Sequence, residues 1–367
     1  MRGVDVIDLG AGDADLAPPA AVLDTIASAV HNPLMNRYGF GLGLVAYREA
    51  VSAWMKKRFG FSADPLREIV PLIGSKEGIS HLAFGYVEPG AVAIIPEPGY
   101  NAYQGGTLLA SGEPYRYALR PGEDFLVDLD RIPKDVLSRT RLLYLNYPNN
   151  PTAAIAPRDY LEKVVKRCKD LDILLVYDNA YSELAFDGYV PPSIFEIDGA
   201  WETASEFHSL SKTYNMTGWR CGWAVARPEV AGVLAKVKSF TDTGQFMAVQ
   251  AAGVAALESH ASFVPNNVAT FQERRDAAVN SFRAAGFECT VPQATMYLWI
   301  ALPDDLPSAT FADRLLEEQG VIVMPGSAFG KGGEGFFRIS FITSPARIAE
   351  AAQRAGTVLS QLTAGVA

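Results

Sequence analysis

Residues 209–220 have the sequence SLSKTYNMTGWR, which places one lysine, Lys212, among small hydroxyl residues, with Arg220 eight positions further on. The neutral amine of a lysine is a nucleophile that captures a carbonyl group as a Schiff base. Serine hydroxyls and an arginine guanidinium are suited to holding a phosphate. The stretch therefore indicates a site for an aldehyde that carries a phosphate, and a solvated lysine in a polar loop is the alternative.

This stretch begins where an apolar run ends, and polar residues follow other apolar runs in the same way. Between about residues 69 and 226 such runs alternate with helical patterns, which predicts a largely parallel α/β sheet. Ligands of open α/β sheets bind beyond the carboxyl ends of the strands. The predicted strands are Ile69 to Ile73, Ala91 to Ile95, Leu142 to Leu145, Ile173 to Tyr177, Glu206 to Ser209 and Cys221 to Val225.

The C-terminal third has separate strand and helix patterns, which predict a smaller α+β lobe that the first residues join. The predicted domains are residues 38–255, and residues 1–37 together with 256–367. Within the lobe we expect one long helix from about Ala248 to Ala285, strands at Tyr297 to Ala301, Val321 to Met324 and Phe336 to Ile342, and helices near Phe311 to Gln319 and Pro345 to Leu362.

The composition narrows the class of protein. A chain of 367 residues exceeds the roughly 250–300 residues at which one core stops growing, so two lobes are expected. A net charge of −9 argues against a nucleic-acid or anionic membrane partner, and no apolar run approaches the ~18–20 residues of a membrane span. Three widely spaced cysteines favour a reducing compartment, so we expect the cytoplasm. Four histidines without a Cys/His cluster predict no metal site.

Asp178 ends the run Ile173 to Tyr177, where a carboxylate needs a cation or a hydrogen-bond donor to offset its burial. A pyridinium nitrogen would be such a partner, and a helix N-cap role is the alternative. Tyr181 lies three residues further on and could reach the ring oxygen of the same cofactor.

Five other candidate residues lie in or near predicted strands. Ser75 and Lys76 begin a helix, where free backbone N–H groups form an anion site, and an ordinary Ser-capped helix start is equally consistent. Tyr100 could stack on an aromatic cofactor or simply pack, and Asn150 lies in a turn between two prolines that could aim its amide into the cleft. Arg338 lies inside an apolar strand pattern and must pair with a substrate carboxylate or with a structural carboxylate.

Taken in order, these residues resemble the fold-type I, pyridoxal-phosphate-dependent class I/II aminotransferases, and they look most like the LL-diaminopimelate aminotransferase group. The resemblance covers nearly the whole chain and is most specific in GSKEGI (74–79), NYPNNPTAA (146–154) and SKTYNMTGWR (211–220). It implies a homodimer with shared active sites. The implied fold is a large domain with a mostly parallel seven-stranded sheet in a three-layer α/β/α sandwich, plus a smaller α+β domain.

The resemblance also implies residue roles. Lys212 would hold pyridoxal 5′-phosphate as a Schiff base and move the substrate Cα proton, while Asp178 would pair with the pyridinium nitrogen and Tyr181 with the ring oxygen. The other cofactor contacts implied are Ser75, Lys76, Tyr100, Asn150, Ser209, Ser211, Arg220 and Tyr38, the last toward the partner subunit. The implied substrate contacts are Gly12, Tyr38, Lys76, Tyr100, Asn150 and Arg338.

The implied activity is transfer of an amino group from an amino acid to a 2-oxo acid, with 2-oxoglutarate as the expected acceptor. LL-diaminopimelate would be the amino donor (EC 2.6.1.83), which would place the enzyme in lysine biosynthesis. Alanine, aspartate and aromatic aminotransferases, a β C–S lyase of the same fold, and a non-catalytic aminotransferase-like domain are the alternatives. Two departures are Ala153, where the family usually has glycine, and a segment ahead of Val4 that is shorter than usual.

Overall fold

The computed structural model describes residues 5–303 and 306–364, and the segment ahead of Val4 lies outside them. The strands of this part are β1 Ile7–Asp8, β2 Ile69–Leu72, β3 Val92–Glu97, β4 Glu113–Ala118, β5 Thr140–Leu145, β6 Leu174–Asp178, β7 Ala204–Ser209, β8 Gly222–Ala226, β9 Glu288–Cys289, β10 Tyr297–Ala301, β11 Val321–Ile322, β12 Met324–Pro325 and β13 Phe336–Ser340. The helices are α1 Ala20–Ala29, α2 Val45–Phe59, α3 Ser75–Tyr86, α4 Asn101–Leu109, α5 Lys134–Arg139, α6 Arg158–Leu171, α7 Ala200–Thr203, α8 Leu210–Thr213, α9 Pro228–Thr241, α10 Met247–Glu258, α11 His260–Ala284, α12 Ser308–Gln319 and α13 Pro345–Ala364.

A seven-stranded sheet with the order β2-β8-β7-β6-β5-β3-β4 forms the centre of the fold. Only β8 runs antiparallel to its neighbours, so the sheet is mostly parallel, as predicted. Side chains alternate between its faces: Leu142 and Tyr144 pack under α3, α4 and α9, whereas Leu143 and Leu145 pack under α5 and α6. Helices on both faces make the predicted three-layer α/β/α sandwich.

The covering helix α6 shows how the sequence forms these layers. Its buried residues Leu161, Val164, Val165 and Cys168 are spaced at one face of a helix, and they join the core on one side of the sheet. The helix ends at Asp172, whose backbone is left-handed with φ 53°. After this stop the chain enters β6, which carries Asp178 to the edge of the sheet.

The C-terminal part forms a four-stranded antiparallel sheet with the order β12-β13-β10-β9, packed with α11, α12 and α13. The N-terminal segment joins it, because β1 pairs in parallel with β11. Helix α1, in contrast, packs against α10. The domain boundaries at residues 38 and 255 remain a prediction. No helix in the described ranges combines the length and the apolar character needed to cross a membrane.

Three of the differences from the expectation have a clear physical reason. Strand β4 was not predicted, because it lies at the edge of the sheet and only Tyr117 among its six residues is buried. The single helix expected over 248–285 is two helices that meet at Ser259, whose hydroxyl donates to the Ala255 carbonyl (2.7 Å) and competes with the helical backbone pattern. The strand expected over 321–324 is two short strands, because β11 pairs with β1 and β12 pairs with β13.

Candidate active site

One cavity of about 370 Å³ lies where the carboxyl ends of the central strands meet the small sheet and the N-terminal segment. Every predicted site residue lines it except Tyr38. Its wall consists of Gly12, Asp13, Ser75, Lys76, Tyr100, Asn146, Asn150, Asp178, Ala180, Tyr181, Ser209, Ser211, Lys212, Thr217, Arg220, Tyr297 and Arg338.

Asp178 is 5 % exposed at the end of β6 and has one oxygen satisfied and one free. Tyr103 donates to its Oδ2 at 2.9 Å, whereas Oδ1 has no hydrogen-bond partner among the described residues. Burial raises the pKa of Asp178 to about 6, even though the Tyr103 hydroxyl, the Ala180 N–H and the charge of His208 act to lower it. A cationic donor in the cavity would therefore complete this carboxylate.

Lys212 extends from the short helix α8, which begins after β7. Its ammonium donates to the carbonyl of Gly12, so the N-terminal segment contacts the central sheet at this point. Ser209 ends β7 and caps α8: its hydroxyl oxygen accepts from Ser211 N (3.1 Å), which leaves the hydroxyl proton free to donate.

The start of α3 forms an anion-binding corner. Gly74 has φ 73°, and a Cβ on it would overlap the guanidinium of Arg220, so the arginine packs directly on this backbone. Arg220 Nη1 donates to Thr217 O at 2.9 Å. The free N–H groups of Ser75 and Lys76 at the helix start lie on the same wall, which gives the corner a positive potential.

A chain of amide contacts holds Asn150. Its N–H donates to Asn146 Oδ1 (2.7 Å), and Asn146 Nδ2 in turn donates to the Asp178 carbonyl (2.7 Å). Asn150 Oδ1 accepts from Arg338 Nη1 at 2.8 Å. Because the oxygen of this amide is occupied by Arg338, its Nδ2 is the group left to donate into the cavity.

Arg338 lies on β13, is 6 % exposed and has no carboxylate partner among the residues described. Its Nη2 donates to Gly10 O (2.6 Å), and its Cζ lies 4.2 Å from the ring centre of Tyr297 and 4.9 Å from that of Phe329. The structural salt bridge that was the alternative is thus not found in this part of the chain. A guanidinium held by neutral groups is ready for a carboxylate ligand.

Tyr100 and Tyr38 differ in placement. Tyr100 is half-buried in the cavity wall, and Lys76 Nζ lies 5.6 Å from its ring centre. Burial raises the pKa of Tyr100 to about 12. Tyr38 is 73 % exposed beside Phe40, with ring centres 5.2 Å apart, and it does not line the cavity.

Sequence reasoning missed six residues. Asp13, Asn146, Ala180, Thr217 and Tyr297 line the cavity, and Tyr103 lies behind Asp178. Asn146 offered a signal, since it opens the quoted motif 146–154. Tyr297 offered none, because its place at the start of a predicted strand does not tell which lobe the strand faces.

An ion cluster lies behind the anion-binding corner. Among the described residues, Glu77, His81 and Asp242 are spaced as metal ligands are, but the ammonium of the buried Lys238 lies 3.0 Å from Glu77 Oε1 and 3.1 Å from Asp242 Oδ2. Glu77 Oε2 accepts from Ile73 N (3.0 Å). The cluster therefore braces the turn that precedes α3.

Comparison with known proteins agrees with this geometry. Residues 4–354 match the family Aminotransferase class I and II. The chain belongs to this family. The LL-diaminopimelate aminotransferase of Moorella thermoacetica is 45 % identical over 98 % of this chain and 93 % of its own length.

Two solved structures show the same fold. A probable N-succinyldiaminopimelate aminotransferase from Thermus thermophilus has a TM-score of 0.92 and 36 % identity, covering 97 % of this chain and 96 % of its own. An aromatic aminotransferase from Pyrococcus horikoshii has a TM-score of 0.93 and 30 % identity, covering 98 % and 96 %. The protein is a transaminase that depends on pyridoxal phosphate, as predicted.

The residues of the cavity fit this cofactor. The free Asp178 Oδ1 is a partner for a protonated ring nitrogen, and the corner at Gly74 and Arg220 suits a phosphate. Lys212 supplies the amine that a carbonyl cofactor requires, and Tyr100 supplies an aromatic face.

Proposed function

We propose that this aminotransferase transfers the amino group of LL-diaminopimelate to 2-oxoglutarate (EC 2.6.1.83), as part of lysine biosynthesis in the cytoplasm. The observation that carries the proposal is identity: relatives of that name share 41 to 45 % over nearly the whole chain, against 30 % for the aromatic enzyme. The cytoplasmic assignment is supported by Cys168, Cys221 and Cys289, which are unpaired.

The cavity offers charges for a substrate with two polar ends. Arg338 binds the α-carboxylate at the reacting end. Lys76 and Asp13 lie on the same wall, and Asp13 accepts from the Thr217 hydroxyl. LL-diaminopimelate carries a distal carboxylate and a distal ammonium, and Lys76 would attract the former.

A panel of amino donors tests the substrate. The kcat/KM with LL-diaminopimelate is expected to exceed that with alanine or phenylalanine by about 10²-fold or more, because neutral donors leave the polar groups of the cavity unpaired. Equal use of a neutral or aromatic donor would reject the proposal.

Lys76→Ala tests the distal contact. We expect the ratio of kcat/KM for LL-diaminopimelate to that for alanine to fall roughly tenfold, which corresponds to one exposed charge-assisted contact. Lys56→Ala, an exposed lysine on α2 outside the cavity, is the matched control. An unchanged ratio in Lys76→Ala would remove this role.

We assign the chemical roles as follows. Bound pyridoxal phosphate supplies a carbonyl carbon for amines and a ring that withdraws electrons. With the cofactor bound, Lys212 Nζ would take up the proton that leaves the substrate Cα, and Asp178 Oδ1 would keep the ring nitrogen protonated. Tyr181 Oη and Asn150 Nδ2 would donate to the ring oxygen.

The remaining groups of the cavity orient the cofactor and the substrate. Tyr100 would stack on the ring, and Gly12 would line the substrate end of the cavity. The phosphate would be held by Ser75, Lys76, Ser209, Ser211 and Arg220.

We further propose a homodimer in which Tyr38 reaches the phosphate in the partner subunit. The exposed Tyr38 and Phe40 support this, and Phe240 is 77 % exposed as well. A mixture of Tyr38→Ala and Lys212→Ala subunits tests it, since a mixed dimer contains one intact site. Random mixing should restore about a quarter of wild-type activity from two weakly active or inactive parents, with no recovery if each subunit has a self-contained site.

A further inference from the structure

Tyr297 is a buried tyrosine that the roles above leave unused. It is the first residue of β10, is 2 % exposed and lines the cavity. Its hydroxyl lies 3.1 Å from the Tyr181 hydroxyl, and its ring lies under the guanidinium of Arg338, 4.2 Å from Cζ. Tyr297 thus contacts both Tyr181, which is assigned to the ring oxygen, and Arg338, which is assigned to the substrate carboxylate.

The number of available protons indicates which phenol donates in the hydrogen bond between Tyr297 and Tyr181. A phenol has one proton to donate, so Tyr181 can donate into the cavity only if the hydrogen bond between the two tyrosines uses the proton of Tyr297. Within the described residues, Tyr297 Oη forms its hydrogen bond with Tyr181 Oη. On its other side this hydroxyl packs on Gly12, where a Cβ would lie 2.5 Å away.

Burial and nearby positive charges separate the pKa values of the two phenols. Burial raises the pKa of Tyr297, but the positive charges of Lys212 and Arg338 and the hydrogen bond with Tyr181 outweigh it, so the pKa lies below its ordinary value. Burial and the contact with Tyr297 raise the pKa of Tyr181 well above its ordinary value. The distance of 3.1 Å between the two hydroxyl oxygens allows either phenol to donate, so the direction from Tyr297 to Tyr181 rests on the proton count.

We propose that Tyr297 is a positioning residue for the transamination reaction with two separable tasks. Its hydroxyl donates to Tyr181 and thereby directs the proton of Tyr181 toward the cofactor's ring oxygen. Its ring supports Arg338 in the orientation that binds the substrate carboxylate. The first task rests on the role proposed above for Tyr181.

A double-mutant cycle with Tyr297→Phe and Tyr181→Phe tests the first task. The readout is the pH midpoint at which the visible absorption of the bound cofactor changes, measured without substrate. A donor to the ring oxygen stabilises its ionised form, so loss of directed donation should raise the midpoint by about 0.5 to 1 pH unit in Tyr297→Phe. In the Tyr181→Phe background the second substitution should add no shift.

Tyr160→Phe is the control, because it also removes a phenol hydroxyl, one that is partly buried and accepts from Val127 N at 3.1 Å outside the cavity. Its midpoint should equal that of the wild type. The inference would be overturned if the pH midpoint of Tyr297→Phe equalled that of the wild type. It would also be overturned if Tyr297→Phe shifted the midpoint equally in the wild-type and Tyr181→Phe backgrounds. If the wild type itself shows no cofactor absorption, the proposed function fails instead.

Steady-state kinetics test the second task, the support of Arg338 by the ring of Tyr297. Tyr297→Phe keeps the ring under Arg338, so the KM of the amino donor should stay within about twofold of wild type. Tyr297→Leu removes the ring and should raise that KM roughly tenfold, with the cofactor still bound. Equal KM values for the two variants would remove the supporting role of the ring.

Discussion

The two walls of the cavity differ in the sequence separation between each site residue and the residues that hold it in place. On the wall formed by the central sheet, Ser209 is held by Ser211, and Asn150 by Asn146, within a few residues. On the opposite wall Arg338 is fixed by Gly10 and Asn150, and Gly12 contacts Lys212 of the central-sheet wall, across sequence separations of 188 to 328 residues. Local contacts therefore hold Ser209 and Asn150 on the cofactor wall, although Tyr103 reaches Asp178 there across 75 positions, and lobe packing builds the substrate wall.

This difference predicts that substitutions on the two walls have different effects on the enzyme. A change on the central-sheet wall should affect cofactor chemistry for every amino acid. A change on the opposite wall should affect substrate use while leaving cofactor affinity intact. Four substitutions test this, in order of decreasing expected effect.

Lys212→Ala should reduce kcat by about 10⁴-fold or more, because it removes both the amine that binds the cofactor and the base that moves the substrate proton. Activity is measured with each amino donor under saturating cofactor. The loss should be the same for all donors, and a donor-dependent loss would contradict the assignment of this wall.

Asp178→Asn should reduce kcat by about 10² to 10³-fold, since an amide does not stabilise a charged ring nitrogen. Cofactor affinity should fall as well, measured by fluorescence titration of the apoprotein. An effect confined to the KM of the amino donor would move Asp178 out of the cofactor wall.

The raised pKa of Asp178 also predicts that the stability of the apoprotein depends on pH. Its folded pKa of about 6 is raised above the ordinary 3.8, so between these values the folded state keeps a proton that the unfolded state has lost. This contribution to the unfolding free energy is therefore present below pH 3.8 and falls by roughly 3 kcal/mol as the pH rises to 6. The denaturation curves of wild type and Asp178→Asn should differ in this window, and parallel curves would contradict the shift.

Arg338→Lys should reduce kcat/KM for the amino donor by about 10- to 100-fold, because an ammonium lacks the planar fork that binds a carboxylate at two points. The dissociation constant of the cofactor should stay within about twofold. A parallel fall in cofactor affinity would show that the two walls are not separable.

Gly12→Ala should have the smallest effect, a destabilisation of about 1 to 3 kcal/mol by overpacking against Tyr297 Oη, with a few-fold rise in the KM of the amino donor. Thermal unfolding measures the first and steady-state kinetics the second. Gly105→Ala, on α4 with open space around its Cα, is the control and should not destabilise. A Gly12→Ala protein as stable as wild type would mean that the contact between the N-terminal segment and β10 is loose.

The comparison of expectation and structure follows the same division. Lys212, Asp178 and Ser75 could be predicted, because each follows a buried strand and the carboxyl ends of parallel strands meet at one edge. The edge strand β4 could not, since only one of its six residues is buried. Tyr103 was missed because its hydrogen bond to Asp178 joins residues 75 positions apart.

The sequence by itself determined the mostly parallel sheet, the residues at its strand ends and the family, because periodicity, strand-end polarity and motif order are local properties of the chain. Tertiary structure decided the partners of those residues: the free oxygen of Asp178, the neutral surroundings of Arg338 and the contact between Tyr181 and Tyr297. Those contacts form only when α/β layers and the small lobe pack together, and no local pattern specifies the distance between two residues brought together by packing.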